Sequence, residues 1–551
     1  MKSAFENPYY YLKNFDTVLA WVRERSSDLL NHSEINFIAN FSKLSTESRA
    51  LFVRMTMRKG SLFRASKLNY VEIGSPQEAV KCLINLGWIE NDPLISLEQL
   101  FALLTKKELA HVFGLAREKA VATKMELLES AQEVFQEPRR FSSWFTASDD
   151  TLYEVRVIDL CDRIRLMFFG NLHQDWSEFI LSDLGVFRYE KVNFLPTSRA
   201  FHSRQDVDDY LCLYDCRERF YKEEALEDIE QDIYAVSCEN SWLLRRRDKL
   251  LFHIAQRYEQ LEQWIRALRI YKQSSYPGAR IRIIRILEKN AQLASAMEMA
   301  ELAEAVPESE TELQHLKRIM PRLRRKLSQP ESARPVRLEV PRIDLKLPRP
   351  DVSYSIEVLV RDYIEQRSPN ALIHYVENTL VNSLFGLLCW DAIFIAIPGA
   401  FFHPFHTGPT DLHSADFYSR RSMHFKACLS QLDSEQYKQT IRENFKKKAG
   451  IQSPFVTWQI LTDTLLEQAL SCFPAVHMAK WFERILLDIQ SNRAGFPDLI
   501  QFWPQEGRYQ MIEVKGPGDR LQDNQNRWLD YCIKHDMPVS VCYVQWENPV
   551  E

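Results

Sequence analysis

Asp498, Glu513 and Lys515 lie within GFPDLIQFWPQEGRYQMIEVK, near the end of a 551-residue chain. The segments DLIQFW and RYQMIEVK are rich in β-branched and aromatic residues, and the turn sequence PQEG parts them, which is the pattern of a β-hairpin. With the hairpin centred between Gln505 and Glu506, Asp498 falls directly across from Glu513; a bulge at Gly507 would shift the register by a residue. Opposed side chains have Cβ atoms about 4.5–5.5 Å apart, where like charges repel. Two carboxylates at that spacing make sense with a divalent cation between them. Along the second strand, the two-residue period sets Glu513 and Lys515 on one face, with Ile512 and Val514 on the other. Ligands that are all oxygen suit Mg²⁺ or Mn²⁺ rather than zinc. Such an ion polarises a phosphoryl oxygen and lowers the pKa of a bound water. An ammonium beside it orients that water and offsets charge building on the phosphate. The reaction class this set supports is phosphodiester hydrolysis.

Three further groups bear on that site. The next helix, from about Leu521 to His535, has an apolar stripe of Leu521, Trp528, Leu529 and Cys532, and Gln525 sits on it. A buried amide needs partners, which the metal site would supply. Upstream, ALIHYVENTLVNSLFGLLCW reads as a long helix whose stripe is Ile373, Val376, Leu380, Leu384 and Leu387. Glu377 lies along that stripe as a third carboxylate, costly to bury without a cation, with His374 close by. His403, His406 and His413 in HPFHTGPTDLH invite a zinc reading, but zinc wants a fourth ligand and tighter geometry. A structured loop beside the active site is the expectation.

These residues need a scaffold, and the rest of the chain is mainly helical. At this length three or four domains are expected. Hydrophobic residues are 45% and charged residues 26% of the chain, an ordinary globular profile. No apolar run crosses a bilayer and the N-terminus lacks a secretory pattern, so a cytoplasmic, nucleoid-associated protein with no membrane partner is expected. Ten cysteines without a CxxC pair read as reduced thiols, Cys212 and Cys216 among them. The net charge of −5 hides clustered basic residues, including Arg54, Arg58, Lys59, Arg64 and Lys67 and, further on, Arg280, Arg282, Arg285 and Arg322.

The chain divides by pattern into a helical N-terminal domain (1–95), a small two-helix module (96–150), helical repeats (151–330), a proline-rich linker or strap (331–350) and a C-terminal domain (351–551). Helices open at Ser45 or Thr46 and at SPQEAV. Capping-box patterns stand at Ser96 with Gln99 and at Thr105 with Glu108. LLFHIAQRYEQLEQWIRALRIYKQ and IRIIRILEKNAQLASAMEMAELAEAV read as two helix–turn–helix repeats broken at YPGA. The fold class is therefore multidomain and mainly α, ending in an α/β domain with a mixed sheet.

The segment Gly495–Lys515 followed by GPGDRLQDNQNRWL resembles the VRR-NUC domain, the PD-(D/E)xK branch found in Fanconi-associated nucleases. HYVE with SLFGLLCWDAIF, PTDLHSADFYSRR, and FSKLSTESRALFVRMTMRKGSLFRASKLNYVEI are similar to other parts of that family, so the resemblance covers nearly the whole chain. It implies a metal-dependent 5′-flap endonuclease and 5′-to-3′ exonuclease, a phosphodiesterase that acts in repair of DNA interstrand crosslinks. It implies Glu377, Asp498 and Glu513 as metal ligands with the Val514 carbonyl, holding two Mg²⁺ or Mn²⁺ ions. Lys515 becomes the catalytic lysine and Gln525 the family's helix glutamine. The family's SAP-type module falls near Ser96–Phe145, and Arg54, Arg58, Lys59 and Lys67 fall in the DNA-contacting first domain. Cys and His ligands for the ubiquitin-binding finger of eukaryotic members are missing, so recruitment by a ubiquitinated partner is not implied. Branched or 5′-flap DNA is the expected partner. The alternatives are a Holliday-junction resolvase and a non-catalytic junction-binding scaffold.

Overall fold

The computed structural model describes residues 7–113, 123–146, 148–183, 185–194, 198–330, 339–349, 355–368 and 370–547. The chain separates into two compact units, residues 1–187 with 199–207 and residues 188–198 with 208–551.

Helices Tyr10–Arg25, His32–Phe41, Thr46–Thr56 and Pro76–Asn85 open the first unit. Ser45 and Ser75 cap the last two through their hydroxyls, satisfying amides that a helix start leaves without partners. Phe15, Phe37, Phe41, Phe52 and Trp88 interlock between the helices. Helices Leu97–Leu103, Lys106–Val112 and Lys124–Gln132 follow, and both expected capping boxes form. A small sheet departs from the helical reading: Leu152–Val155 runs between Leu62–Arg64 and Ile89–Asn91, antiparallel to each. Residues just after 150 therefore pack within the first unit, and a boundary at 150/151 cuts through a hydrogen-bonded body. Pairing between segments far apart in sequence leaves no local periodicity to read.

In the second unit, helices Ser241–Gln260 and Trp264–Tyr271, then Ala279–Lys289 and Leu293–Ala305, form two successive pairs. Gly278, at φ 93°, supplies the break that a side-chain-bearing residue would resist. Ile254, Ala255, Ile270, Ile284, Ala296 and Ala300 share one core, which also takes in Cys216 with Cys212 against it. Among the described residues no helix is long and apolar enough to cross a membrane.

The C-terminal sheet is built from β1 (Arg342–Leu347), β2 (Leu372–Tyr375), β3 (Leu499–Trp503), β4 (Arg508–Lys515) and β5 (Val539–Trp546), in the order β1-β5-β4-β3-β2. Strands β1 and β4 run parallel to β5, while the β3–β4 and β2–β3 pairs are antiparallel. Helix α1 (Ile356–Arg367) packs on β2 and β4, α2 (Leu380–Leu388) follows β2, and α3 (Asp523–Lys534) links β4 to β5.

Two expectations are corrected here. The linker 331–350 contains β1, paired from Arg342↔Val541 to Leu347↔Trp546; residues 331–338 and 350 lie outside the described residues. Pro341 and Pro348 flank the strand at a sheet edge, where proline costs no ladder bond, and Leu345 and Leu347 bury against Val360. The long helix through ALIHYVENTLVNSLFGLLCW is instead β2, a turn at Glu377–Asn378, and α2. A short run such as LIHYV suits helix or strand by period; the open edge of β3, paired from Leu372↔Phe502 to Tyr375↔Leu499, decides for strand.

Candidate active site

The β3–β4 ladder runs from Trp503↔Arg508 to Leu499↔Ile512. One step further sets Asp498 opposite Glu513, the register read from the turn. Gly507 takes its positive φ of 61° within the turn and makes no bulge. Asp498 Oδ2 accepts a 2.9 Å hydrogen bond from the Val514 N–H, which clamps the first carboxylate across the hairpin. Lys515 Nζ lies 2.8 Å from Glu513 Oε1. Glu513 is fully buried, and Asp498 and Lys515 nearly so.

The electrostatics of this trio are unfavourable for two ionised acids. Burial pushes the Asp498 carboxyl up to about 6, against the opposing pull of the Val514 N–H and Lys515. Burial first, and then the charge of Asp498, pushes Glu513 up to about 8. The Lys515 ammonium lies at ion-pair distance, and among the described residues neither oxygen of Glu513 has a well-directed hydrogen-bond donor. Buried polar atoms are rarely left so. Two buried carboxyls side by side, offering only oxygen ligands, fit a hard divalent ion.

Glu377 reaches this place by a turn rather than a helix face. The amides of Val376 and Glu377 both donate to the Asp498 carbonyl, each at 2.9 Å. The two hydrogen bonds to one oxygen hold Glu377 at φ +34°, an uncommon conformation for a residue with a side chain and one that collects at functional sites. Its carboxylate is exposed, receiving Tyr375 Oη at 2.8 Å and Asn378 Nδ2 at 3.0 Å. Among the described residues no three His, Cys, Asp or Glu side chains converge to hold a metal ion. Asp498 and Glu513 thus form a buried pair, with Glu377 tethered at its rim by backbone.

Asn378 is the brace. Its Oδ1 accepts from Gly495 N at 2.7 Å and Phe496 N at 3.1 Å, joining the Glu377 turn to the loop that enters β3. Gly495, at φ 101°, passes so close to α3 that a Cβ would stand 2.7 Å from the Asn524 carbonyl carbon. Asn378→Ala removes three hydrogen bonds and leaves two amides without acceptors. It should cost about 1–3 kcal/mol, read as a lowered melting temperature, and should weaken divalent-metal binding measured by calorimetry. Unchanged stability and unchanged metal affinity would remove the bracing role.

Other expected site residues are placed differently. Gln525 is half-buried, and its Oε1 accepts from the Gln522 N–H at 2.8 Å in a capping box. Its amide is therefore partnered by the start of α3 itself, not left to the metal site as a buried stripe position would be. Arg54 is half-buried, paired with Glu72 at 2.7 Å and seated over the Tyr11 ring, so its guanidinium is already engaged. Arg58, Lys59 and Lys67 are exposed, and none is ion-paired among the described residues. Arg280, Arg282 and Arg322 pair with Glu312, Glu259 and Glu288, tying neighbouring helices together. His403 and His406 stack in the expected structured loop. His403 Nδ1 accepts from Phe405 N and His406 Nε2 from Phe402 N, while burial pushes His406 down to about 3.

Sequence reasoning missed Tyr375 and Asn378, which hold Glu377, and Glu357 in the first turn of α1, whose charge raises Asp498 further. The signal for the first two was Asn378–Thr379, residue types that favour turns and caps over helix interiors. Glu357 had no local signal.

Family models match three stretches of the chain: "FAN1, HTH domain" at residues 9–90, "Fanconi anemia-associated nuclease SAP domain" at 94–144 and "VRR-NUC domain" at 432–546. A Fanconi-associated nuclease 1 homolog of Pseudomonas aeruginosa is 53% identical over 543 residues, covering 98% of this chain and 97% of that one. The Arabidopsis thaliana homolog is 23% identical, covering 97% of this chain and 67% of its own. A crystal structure of paFAN1 bound to 2-nt 5′-flap DNA with a gap superposes with a TM-score of 0.94 at 53% identity, covering 98% of this chain and 99% of that one. The complex with 1-nt 5′-flap DNA superposes at 0.90.

Proposed function

Because this chain belongs to the Fanconi-associated nuclease family and is a structure-specific, divalent-metal-dependent DNA nuclease, we propose that it cuts 5′-flap DNA endonucleolytically, trims it 5′-to-3′, and serves interstrand crosslink repair at the nucleoid. The observation that carries this reading is the buried Asp498–Glu513 pair, with no well-directed donor to Glu513 among the described residues and Lys515 beside it.

In this reading Asp498, Glu513 and the Val514 carbonyl would hold Mg²⁺ or Mn²⁺, with Glu377, now bonded to Tyr375 and Asn378 at the rim, as the further ligand that a second ion would call for. When bound, the metal polarises the phosphoryl oxygen and lowers the pKa of the attacking water. Lys515, held on the same strand face as Glu513, orients that water and offsets charge gathering on the phosphate. Tyr375 and Asn378 hold the Glu377 carboxylate ready until then. Gln525 steadies the start of α3, against which the Gly495 loop leans, and acts by positioning. Arg58, Lys59 and Lys67 in the domain 1–95 track DNA phosphates, with the module 96–150, whereas Arg54 supports that surface from within. The domain 351–551 carries the chemistry, and the helical repeats before it carry the substrate.

The test is cleavage of an end-labelled 5′-flap duplex and a four-way junction in Mn²⁺, with binding measured in EDTA. Cutting near the flap base, absent in EDTA and weak on the junction, is expected. Symmetric resolution of the junction with the flap spared would move the reading to a resolvase. Tight binding with no cut on either DNA would leave only a scaffold.

A further inference from the structure

Beside the Glu377 turn lies a cavity of about 420 Å³, lined by Asn378, Asn382, His413, Pro454, Thr457 and Arg493 among others. Two of these groups are left with unmet demands. Arg493 is half-buried and its guanidinium donates to the Pro454 carbonyl and lies over the Phe455 ring. Among the described residues it pairs with no carboxylate. Asn382 is 5% exposed; its Nδ2 is spent on the carbonyls of Asn378 and Arg493, which fixes the amide orientation, and its enclosed Oδ1 has no partner among the described residues. A desolvated guanidinium without a counter-charge is costly, and so is a buried acceptor without a donor. The first cost vanishes if the cavity takes a ligand with an anionic end for Arg493. Planar, forked guanidinium donors suit phosphate oxygens in particular.

The cavity is rigidly tied to the catalytic carboxylates. Asn378 lines it, donates to Glu377 Oε1, and accepts from the Gly495 and Phe496 amides. Asn382 holds the Arg493 carbonyl, and Arg493 stands five residues before Asp498 in the same entering segment. We propose that this cavity is a nucleotide subsite next to the scissile bond, in which Arg493 binds one phosphate of the DNA. Its size falls in the range of built small-molecule sites. The subsite rests on the nuclease reading, and it assigns substrate binding to residues outside the metal cluster.

The experiment uses full-length protein in EDTA and a set of 5′-flap duplexes, each with one phosphate near the cut replaced by an uncharged methylphosphonate. For the native chain, one position should weaken binding about tenfold, the loss of a single charge-assisted contact. Arg493→Gln should bind normal DNA about tenfold more weakly, be indifferent to substitution at that one position, and keep its response at every other. Its salt dependence, log K against log salt, should flatten by about one unit. Arg493→Lys, which keeps the charge, should recover part of the affinity and of the position's effect; it serves if the Gln variant fails to fold. A variant that responds to every methylphosphonate as the native chain does would overturn the subsite. Because native cleavage is recorded in Mn²⁺ on the same duplexes, failure of the nuclease reading shows separately, as no cutting at all.

Discussion

Asp498→Ala should lower flap cleavage by roughly a thousandfold or more, the several kcal/mol of transition-state stabilisation that a bound metal supplies. Asp498 anchors the site twice. Its carboxylate is clamped on the Val514 N–H, and its carbonyl holds the two amides that bend the chain at Glu377. Alanine keeps the carbonyl and therefore the turn, so the loss falls on the carboxylate alone. DNA affinity in EDTA should stay within about threefold, because phosphate contacts made by basic side chains dominate it. Cleavage rates with binding isotherms on the same flap duplex check both halves. A variant that still cuts at a tenth of the native rate would show that the Asp498 carboxylate is not a required metal ligand.

Glu513→Gln should make the metal-free protein more stable at pH 8, by several kcal/mol. A carboxyl whose folded pKa is raised keeps its proton longer in the folded state. Below the unfolded value, about 4.3, the native residue carries no penalty. As pH rises from there to about 8, the folded value at Glu513, stability is progressively lost; Asp498, at about 6, adds to the loss over the lower part of that window. Gln cannot ionise, so the Glu513 share disappears. Divalent metal should reverse the order: Mn²⁺ raises the melting temperature of the native chain, increasingly so toward pH 8 because ligands must shed protons to bind it, and barely moves the variant. Melting curves at pH 5 and pH 8, each with EDTA and with Mn²⁺, make the comparison. Equal stability of the two chains at pH 8 in EDTA would mean that the buried pair is not strained.

Much of the site was legible because a tight hairpin is a local object. PQEG parts two β-rich runs, so Asp498 opposite Glu513 and Lys515 two residues on follow from turn position and strand period alone. Helix starts at Ser45, Ser75, Ser96 and Thr105 were readable for the same reason, since a cap is a contact between residues three apart. Basic clusters misled where charge was counted without partners. Arg54 and Arg322 are committed to Glu72 and Glu288, acids that are distant in sequence and adjacent only after folding.

The sequence by itself therefore determined the pair of acids, the lysine beside them, and the oxygen-rich demand for a hard cation. Only the tertiary structure decided how Glu377 arrives. The run LIHYV could be helix or strand, and it became β2 because β3 offered an unpaired edge, after which two amides converging on the Asp498 carbonyl forced the turn. The same holds for β1, a proline-flanked strap until β5 pairs with it, and for Gln525, whose amide is met by Gln522 in its own helix start. Periodicity records which face of an element is apolar; it carries no information about which distant hydrogen-bonding edge will claim that element, and here that choice placed the third carboxylate.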